Sequence, residues 1–238
     1  MTFMSYALQV GARLSALGLF GVFWFKTQAY LAQYQLSDDG SIGDGVHDLL
    51  LPFTEYVHAN PDVGEKLLIF SSGCIDFFAT LMVLASVFGS TMRPAVAIMF
   101  VFIMRQVCQM VVTLPAPEKV FWRDPGVPSL FVTYETANDF FFSGHTAIAV
   151  VCAIEMSRIF GRIGTLIGVL FASLEIFVVL ALQAHWTMDV FAGFVAARYA
   201  TLVSEKLLSW LPALSSPKDD GTKGIQSKKA NAKGKRNM

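Results

Sequence analysis

Long apolar blocks with almost no charge set the terms for this chain. Residues 67–88 carry a single charge, Asp76, and residues 163–182 a single charge, Glu175. Apolar runs of about 18 residues or more read as helices that cross a bilayer. Hydrophobic residues make up 54% of the 238-residue chain, more than the core of a soluble domain of this length can hide. The pattern predicts an all-α bundle of six transmembrane helices, at about 7–25, 67–88, 94–114, 144–160, 163–182 and 186–208. The first block has no small-residue cleavage site after it and reads as a retained span. The spans make one membrane domain over 1–211, followed by a basic, polar tail over 212–238 that is expected to be disordered.

The connecting segments orient the bundle. Arg93, Arg158, Arg162, Lys206 and the tail fall on one side. An acidic loop after the first span and a second long loop, 115–142, fall on the other. The excess of positive charge marks the cytosolic face, so both termini are expected in the cytosol. Residues 46–57 read as a short interfacial helix within the acidic loop. A formal net charge of zero argues against a nucleic-acid partner. Cys74, Cys108 and Cys152 lie inside apolar blocks and read as packing residues, not as disulfides or metal ligands.

This topology brings two distant histidines to one level at the non-cytosolic face. His145 opens the fourth span and His185 the sixth. His185 and Asp189 are four apart and share a helical face. A carboxylate one turn from an imidazole can hold its Nδ1 proton and leave the other nitrogen as a nucleophile. Ser143 and Gly144 precede His145 at a helix start, where unpaired backbone N–H groups and the helix dipole favour an anion. A nucleophile, its orienting acid, a second imidazole and an anion cradle together point to phosphoryl transfer.

The segment Asp139-Phe140-Phe141-Phe142-Ser143-Gly144-His145-Thr146 resembles a signature of the sphingomyelin synthases. His185-Trp186-Thr187-Met188-Asp189-Val190 resembles another of their signatures. Arg105, followed by Thr113-Leu114-Pro115-Ala116-Pro117, is similar to a segment shared with the plant phosphatidylcholine:diacylglycerol cholinephosphotransferases. The short chain and the spacing from His145 to His185 are closer to the plant family; Asp139 and Thr146 are closer to the sphingomyelin synthases. The resemblance implies a six-helix fold like that of the lipid phosphate phosphatases (PAP2-like). It also implies phosphocholine transfer from phosphatidylcholine, with His145, His185 and Asp189 catalytic. The wider phosphatase superfamily adds a Lys-x6-Arg-Pro motif and an arginine six residues before the second histidine. Here those positions hold Ser86 before Arg93-Pro94, and Val179. Loss of basic residues that bind a dianion fits a phosphodiester with one negative charge.

The remaining charges and aromatics supply candidates for substrate binding. Asp76 and Arg105 fall at similar depth, ~14 Å below the non-cytosolic ends of their spans. They are expected to pair, or Arg105 to meet the substrate phosphate. Glu175 either faces the site from the fifth span or bonds within the bundle. Asp139 and aromatic residues that include Trp122, Tyr134 and Trp186 lie at the same face, where cation–π contact suits choline. His47 and His58 read as surface or interfacial residues, and Asp44, His47 and Asp48 lack the spacing of a metal site.

The expected enzyme exchanges head groups in the membrane, with phosphatidylcholine as donor and diacylglycerol as acceptor, and needs no metal or other cofactor. Ceramide is the alternative acceptor, and lipid phosphate hydrolysis and a non-enzymatic scaffold are the competing classes. The expected setting is the endoplasmic reticulum, with the Golgi and plasma membrane as alternatives. Nothing in the sequence sets an oligomeric state.

Overall fold

The computed structural model describes residues 42–112, 114–132, 134 and 141–210, with Val22 and Lys26. The chain divides into two compact units, Met1–Gly43 and Asp44–Met238, and every element below belongs to the second. The expected first span, the tail, Thr113, Asp139 and Phe140 lie outside the described residues.

Five helices are described, all-α throughout: α1 Gly45–Ala59, α2 Pro61–Phe88, α3 Arg93–Val111, α4 Gly144–Ala181 and α5 Thr187–Trp210. Three of them, α2, α3 and α4, are long and apolar enough to cross a membrane. Many large apolar side chains point outward, including Phe77, Phe88, Leu166 and Phe191. In water so much exposed apolar surface would drive association; in lipid it is the solvated surface.

Local chemistry places the helix ends. The Asp44 carboxylate caps α1 by accepting from Val46 N at 3.0 Å and His47 N at 3.4 Å. Pro61 opens α2, at a position where its missing N–H costs nothing. Ser86 caps the following helix from outside it, its Oγ accepting from Ala95 N at 2.9 Å. Helix α2 begins at Pro61, six residues before the apolar block at Leu67.

Helix α4 is a folded hairpin. Its 38 residues would extend ~57 Å if straight, about twice the thickness of a bilayer core. Gly161, at φ 60° and ψ −135°, adopts a conformation essentially reserved for glycine and reverses the chain. The two arms then run antiparallel: Ser157 Oγ meets Thr165 Oγ1 at 2.8 Å, and Gly168 packs on Ala153. The expected spans at 144–160 and 163–182 are these two arms.

The two ends of the bundle differ. At one end Glu155 is fully buried, and both its oxygens accept from Arg93 Nε at 3.0 and 2.9 Å. Arg158 joins this cluster and reaches Glu205 of α5 at 3.2 Å. At the other end lie the starts of α4 and α5 and the long loop before α4. That loop does not stay outside the bundle. Arg123 pairs with Glu65 at 2.6 Å, and farther along Leu130 N and Phe131 N donate to Asp76 at 2.9 and 3.0 Å. Asp76 is about 22 Å along α2 from Pro61, so the loop runs down the helix.

Candidate active site

The starts of α4 and α5 are stitched together. Ser143 is buried and caps α4, accepting from Thr146 N at 3.3 Å. Its own N–H donates across to the Asp189 carbonyl at 3.0 Å. One turn along α5, Gly193 lies so close to Ser143 that a Cβ there would stand 2.6 Å from the Ser143 carbonyl oxygen. Small residues let the two backbones approach, and that approach brings the Ser143-Gly144-His145 and His185-x-x-x-Asp189 segments to one place.

Each histidine has a distinct setting. His145 is buried and its Nε2 has no hydrogen-bond partner. The ring meets Trp122 edge-on, with centroids 5.1 Å apart at 90°. It lies within electrostatic range of both His185 and Arg105. His185 is also buried, and its Nδ1 stands 3.9 Å from Asp189 Oδ2. That separation exceeds a direct hydrogen bond. Asp189 Oδ2 instead accepts from Trp186 N at 3.0 Å, while the buried Oδ1 has no partner.

Arg105 lies over the α4 start. Its Nε donates to the Phe142 carbonyl at 3.3 Å. A Cβ at Gly144 would come within 2.9 Å of that Nε, so glycine makes room for the guanidinium. Arg105, Gly144 and His145 line a small cavity together with Ile75, Phe131 and Ile148. A positive side chain, a helix N-terminus and a histidine thus border one space with apolar side chains. A cation and a helix start together favour negative charge.

Asp76 and Arg105 do not pair. Asp76 binds the loop, adding Ser129 Oγ at 2.9 Å to its two backbone donors. Equal depth on two helices does not make them partners here, because a loop folded back along α2 satisfies Asp76 instead. Glu175, fully buried, accepts from Ser71 Oγ at 2.5 Å and leaves Oε1 without a partner. The adjacent Ser72 bonds the Tyr134 hydroxyl, and Tyr134 packs on Trp122. Burial pushes the Tyr134 phenol above its ordinary value of 10.0, partly offset by the Ser72 bond, so it stays neutral. The Trp186 indole is buried and donates to the Pro115 carbonyl at 3.0 Å.

His47 is not a surface residue. It is buried, its Nε2–H donates to the His185 carbonyl at 2.9 Å, and its ring stacks on Trp186 at 5.3 Å. A signal for this was present. His47, Leu50, Thr54 and Val57 recur at spacings of three and four, the pattern of one buried helical face. A histidine and a threonine on that face hid it. His58, in contrast, is exposed and donates to the Lys119 carbonyl at 3.0 Å.

Fold and site together define a polytopic α-helical membrane protein with two buried histidines at joined helix starts, one of them lining a cavity with Arg105. A model of the AtPDCT1/2 family matches residues 47–206. The chain belongs to this family, the plant phosphatidylcholine:diacylglycerol cholinephosphotransferases, and is an enzyme of that kind. Comparisons with curated proteins and with solved structures gave no match. Membership implies phosphatidylcholine as donor and diacylglycerol as acceptor.

Proposed function

We propose that this enzyme passes phosphocholine from phosphatidylcholine to diacylglycerol through a phosphohistidine on His185. The observation that carries the reading is the unpaired, buried Nε2 of His145 on a cavity wall shared with Arg105. In the first half-reaction His185 Nε2 attacks phosphorus and the P–O bond to diacylglycerol breaks. Protonated His145 gives its proton to the departing oxygen. In the second, an incoming diacylglycerol hydroxyl gives its proton to His145 and attacks phosphorus, and the P–N bond breaks. The energy of the donor phosphodiester is retained in the intermediate, so no nucleotide enters the balance.

Asp189 stabilises the charge that develops on His185, tightening from its 3.9 Å separation as the imidazole becomes cationic. Arg105 and the Ser143-Gly144 helix start hold the single negative charge of the phosphodiester. Trp122 beside His145 supplies an aromatic face for choline, with Asp139 and Trp186 as further groups for the head group. Asp76 and Glu175 act from farther out, through the loop and through Ser71. The apolar surroundings exclude water, which favours transfer over hydrolysis.

The membrane domain is read as a six-span bundle over 1–211, with 7–25 as the first span and 212–238 as a cytosolic tail. The Arg93–Glu155–Arg158 cluster, at the end away from the histidines, supports a site on the non-cytosolic face; the membrane is read as that of the endoplasmic reticulum.

The test uses purified enzyme in mixed micelles with phosphatidylcholine labelled in its phosphate. Without diacylglycerol, labelled protein should accumulate with the acid lability of a phosphohistidine, and diacylglycerol should discharge it. His185→Ala should abolish both labelling and transfer. Transfer at the wild-type rate by His185→Ala would overturn the mechanism.

A further inference from the structure

The start of α1 grips three consecutive residues at the proposed nucleophile. His47 Nε2–H donates to the His185 carbonyl at 2.9 Å. The His47 ring stacks on Trp186 at an interplanar angle of 27°. Asp44 takes both donors of Thr187: the N–H at 2.6 Å and the Oγ1–H at 2.8 Å. Asp44 is also the N-cap of α1, so a single carboxylate serves the starts of two helices. The chain around this segment needs such a grip. Gln183, two residues before His185, sits at φ 50°, a left-handed conformation that costs a non-glycine residue about 1–2 kcal/mol. The helix therefore ends at an irregular turn, and α5 supplies no helical bond to hold the His185 carbonyl. His47 supplies it.

We propose that His47 and Asp44 are positioning residues for the transfer reaction, and that α1 clamps the His185-Trp186-Thr187 backbone so that the imidazole meets phosphorus in line. This rests on His185 being the nucleophile. His47 touches the backbone of His185 and not the reacting atoms, so it should act on the rate of the chemical step more than on lipid binding. Misplacement of a nucleophile by about 1 Å is enough for a 100-fold loss.

Leucine at 47 keeps the apolar bulk and removes the donor. Glutamine at 47 can place an amide N–H where Nε2–H stood. His47→Leu should lower kcat per folded molecule 10- to 100-fold at unchanged KM for phosphatidylcholine, with a lowered thermal midpoint because the buried His185 carbonyl loses its donor. His47→Gln should return kcat to within about fivefold of wild type, the equivalent of ~1 kcal/mol for one buried hydrogen bond. A wild-type kcat for His47→Leu, equal impairment of the two variants, or a rise in KM in place of a fall in kcat would each overturn the clamp. Should His47→Leu fail to fold, Thr187→Val carries the test, because it deletes one clamp donor from a partly exposed site. A roughly threefold fall in kcat at constant KM supports the clamp; an unchanged kcat overturns it. His185→Ala separates the two levels. If it is inactive while His47→Leu is fully active, only the clamp fails. If it is active, the nucleophile assignment fails.

Discussion

Gly193→Ala tests whether the seam between α4 and α5 sets the active-site geometry. The new Cβ would stand 2.6 Å from the Ser143 carbonyl oxygen, 3.3 Å from Thr146 Cβ and 3.5 Å from Ala147 N. Ordinary contact begins at 3.4 Å, so the closest of these is short by about 0.8 Å. The obstruction is backbone oxygen at the capped start of a helix, and no rotamer change relieves it. The helices must separate. Ser143 N–H to the Asp189 carbonyl, now 3.0 Å, would stretch toward ~3.8 Å, past useful hydrogen bonding. Overpacking of this kind costs about 1–3 kcal/mol, and the lost bond adds ~1 kcal/mol. Catalysis should suffer more than stability, because His145 moves with one helix and His185 and Asp189 with the other. A relative displacement near 1 Å predicts a fall in kcat of about 100-fold. The assay is transfer of labelled phosphocholine to diacylglycerol in mixed micelles, beside thermal unfolding of the same preparation. Gly73→Ala is the control: it makes the same chemical change inside α2, where a Cβ meets nothing within 4 Å. It should leave kcat unchanged and raise helix stability by up to ~1 kcal/mol. A Gly193→Ala enzyme with wild-type kcat would show that the seam tolerates separation and refute the reasoning.

Two further predictions concern charge. Glu155→Gln leaves Arg93 and Arg158 around a buried neutral side chain, a loss of about 3 kcal/mol. The cluster lies ~16 Å along α4 from Gly144, so the thermal midpoint should fall while kcat per folded molecule holds; a fall in kcat alone would contradict this separation of ends. For Asp44, burial acts to raise the carboxyl pKa, but the bonds from Thr187, the charge of His47 and the Val46 N–H outweigh it and hold the pKa below 3.8. A depressed carboxyl contributes stability that is complete above its ordinary value and is lost as pH falls through its native one. The difference in thermal midpoint between wild type and Asp44→Asn should therefore be constant near neutrality and shrink below about pH 4. A difference that grew on acidification would have the wrong sign.

What could be read from sequence divides along a physical line. A bilayer requires long apolar segments, so α2, α3 and the two arms of α4 were visible as blocks. Hydropathy measures the apolar thickness, not the helix, and so missed the polar first turns of α2 that start at Pro61. The paired motifs were visible because each is local: Ser143-Gly144-His145 is a cap and a helix start, and His185 to Asp189 is one turn. The partners of Asp76 and of His47 lie 53 and 138 residues away in sequence. No local pattern encodes such distances.

Those nonlocal contacts share a feature that explains the design. Asp76 fixes the loop that carries Phe131 to the cavity wall, and Asp44 and His47 fix the backbone of His185. In each case a polar side chain on a helix satisfies backbone groups of an irregular segment. An irregular backbone close to lipid has no water to meet its N–H and C=O groups, and each left unmet costs several kcal/mol. A site that must admit a lipid from the bilayer needs such irregular segments at its mouth. The helices therefore have to supply polar partners for them, as Asp44, His47 and Asp76 do here.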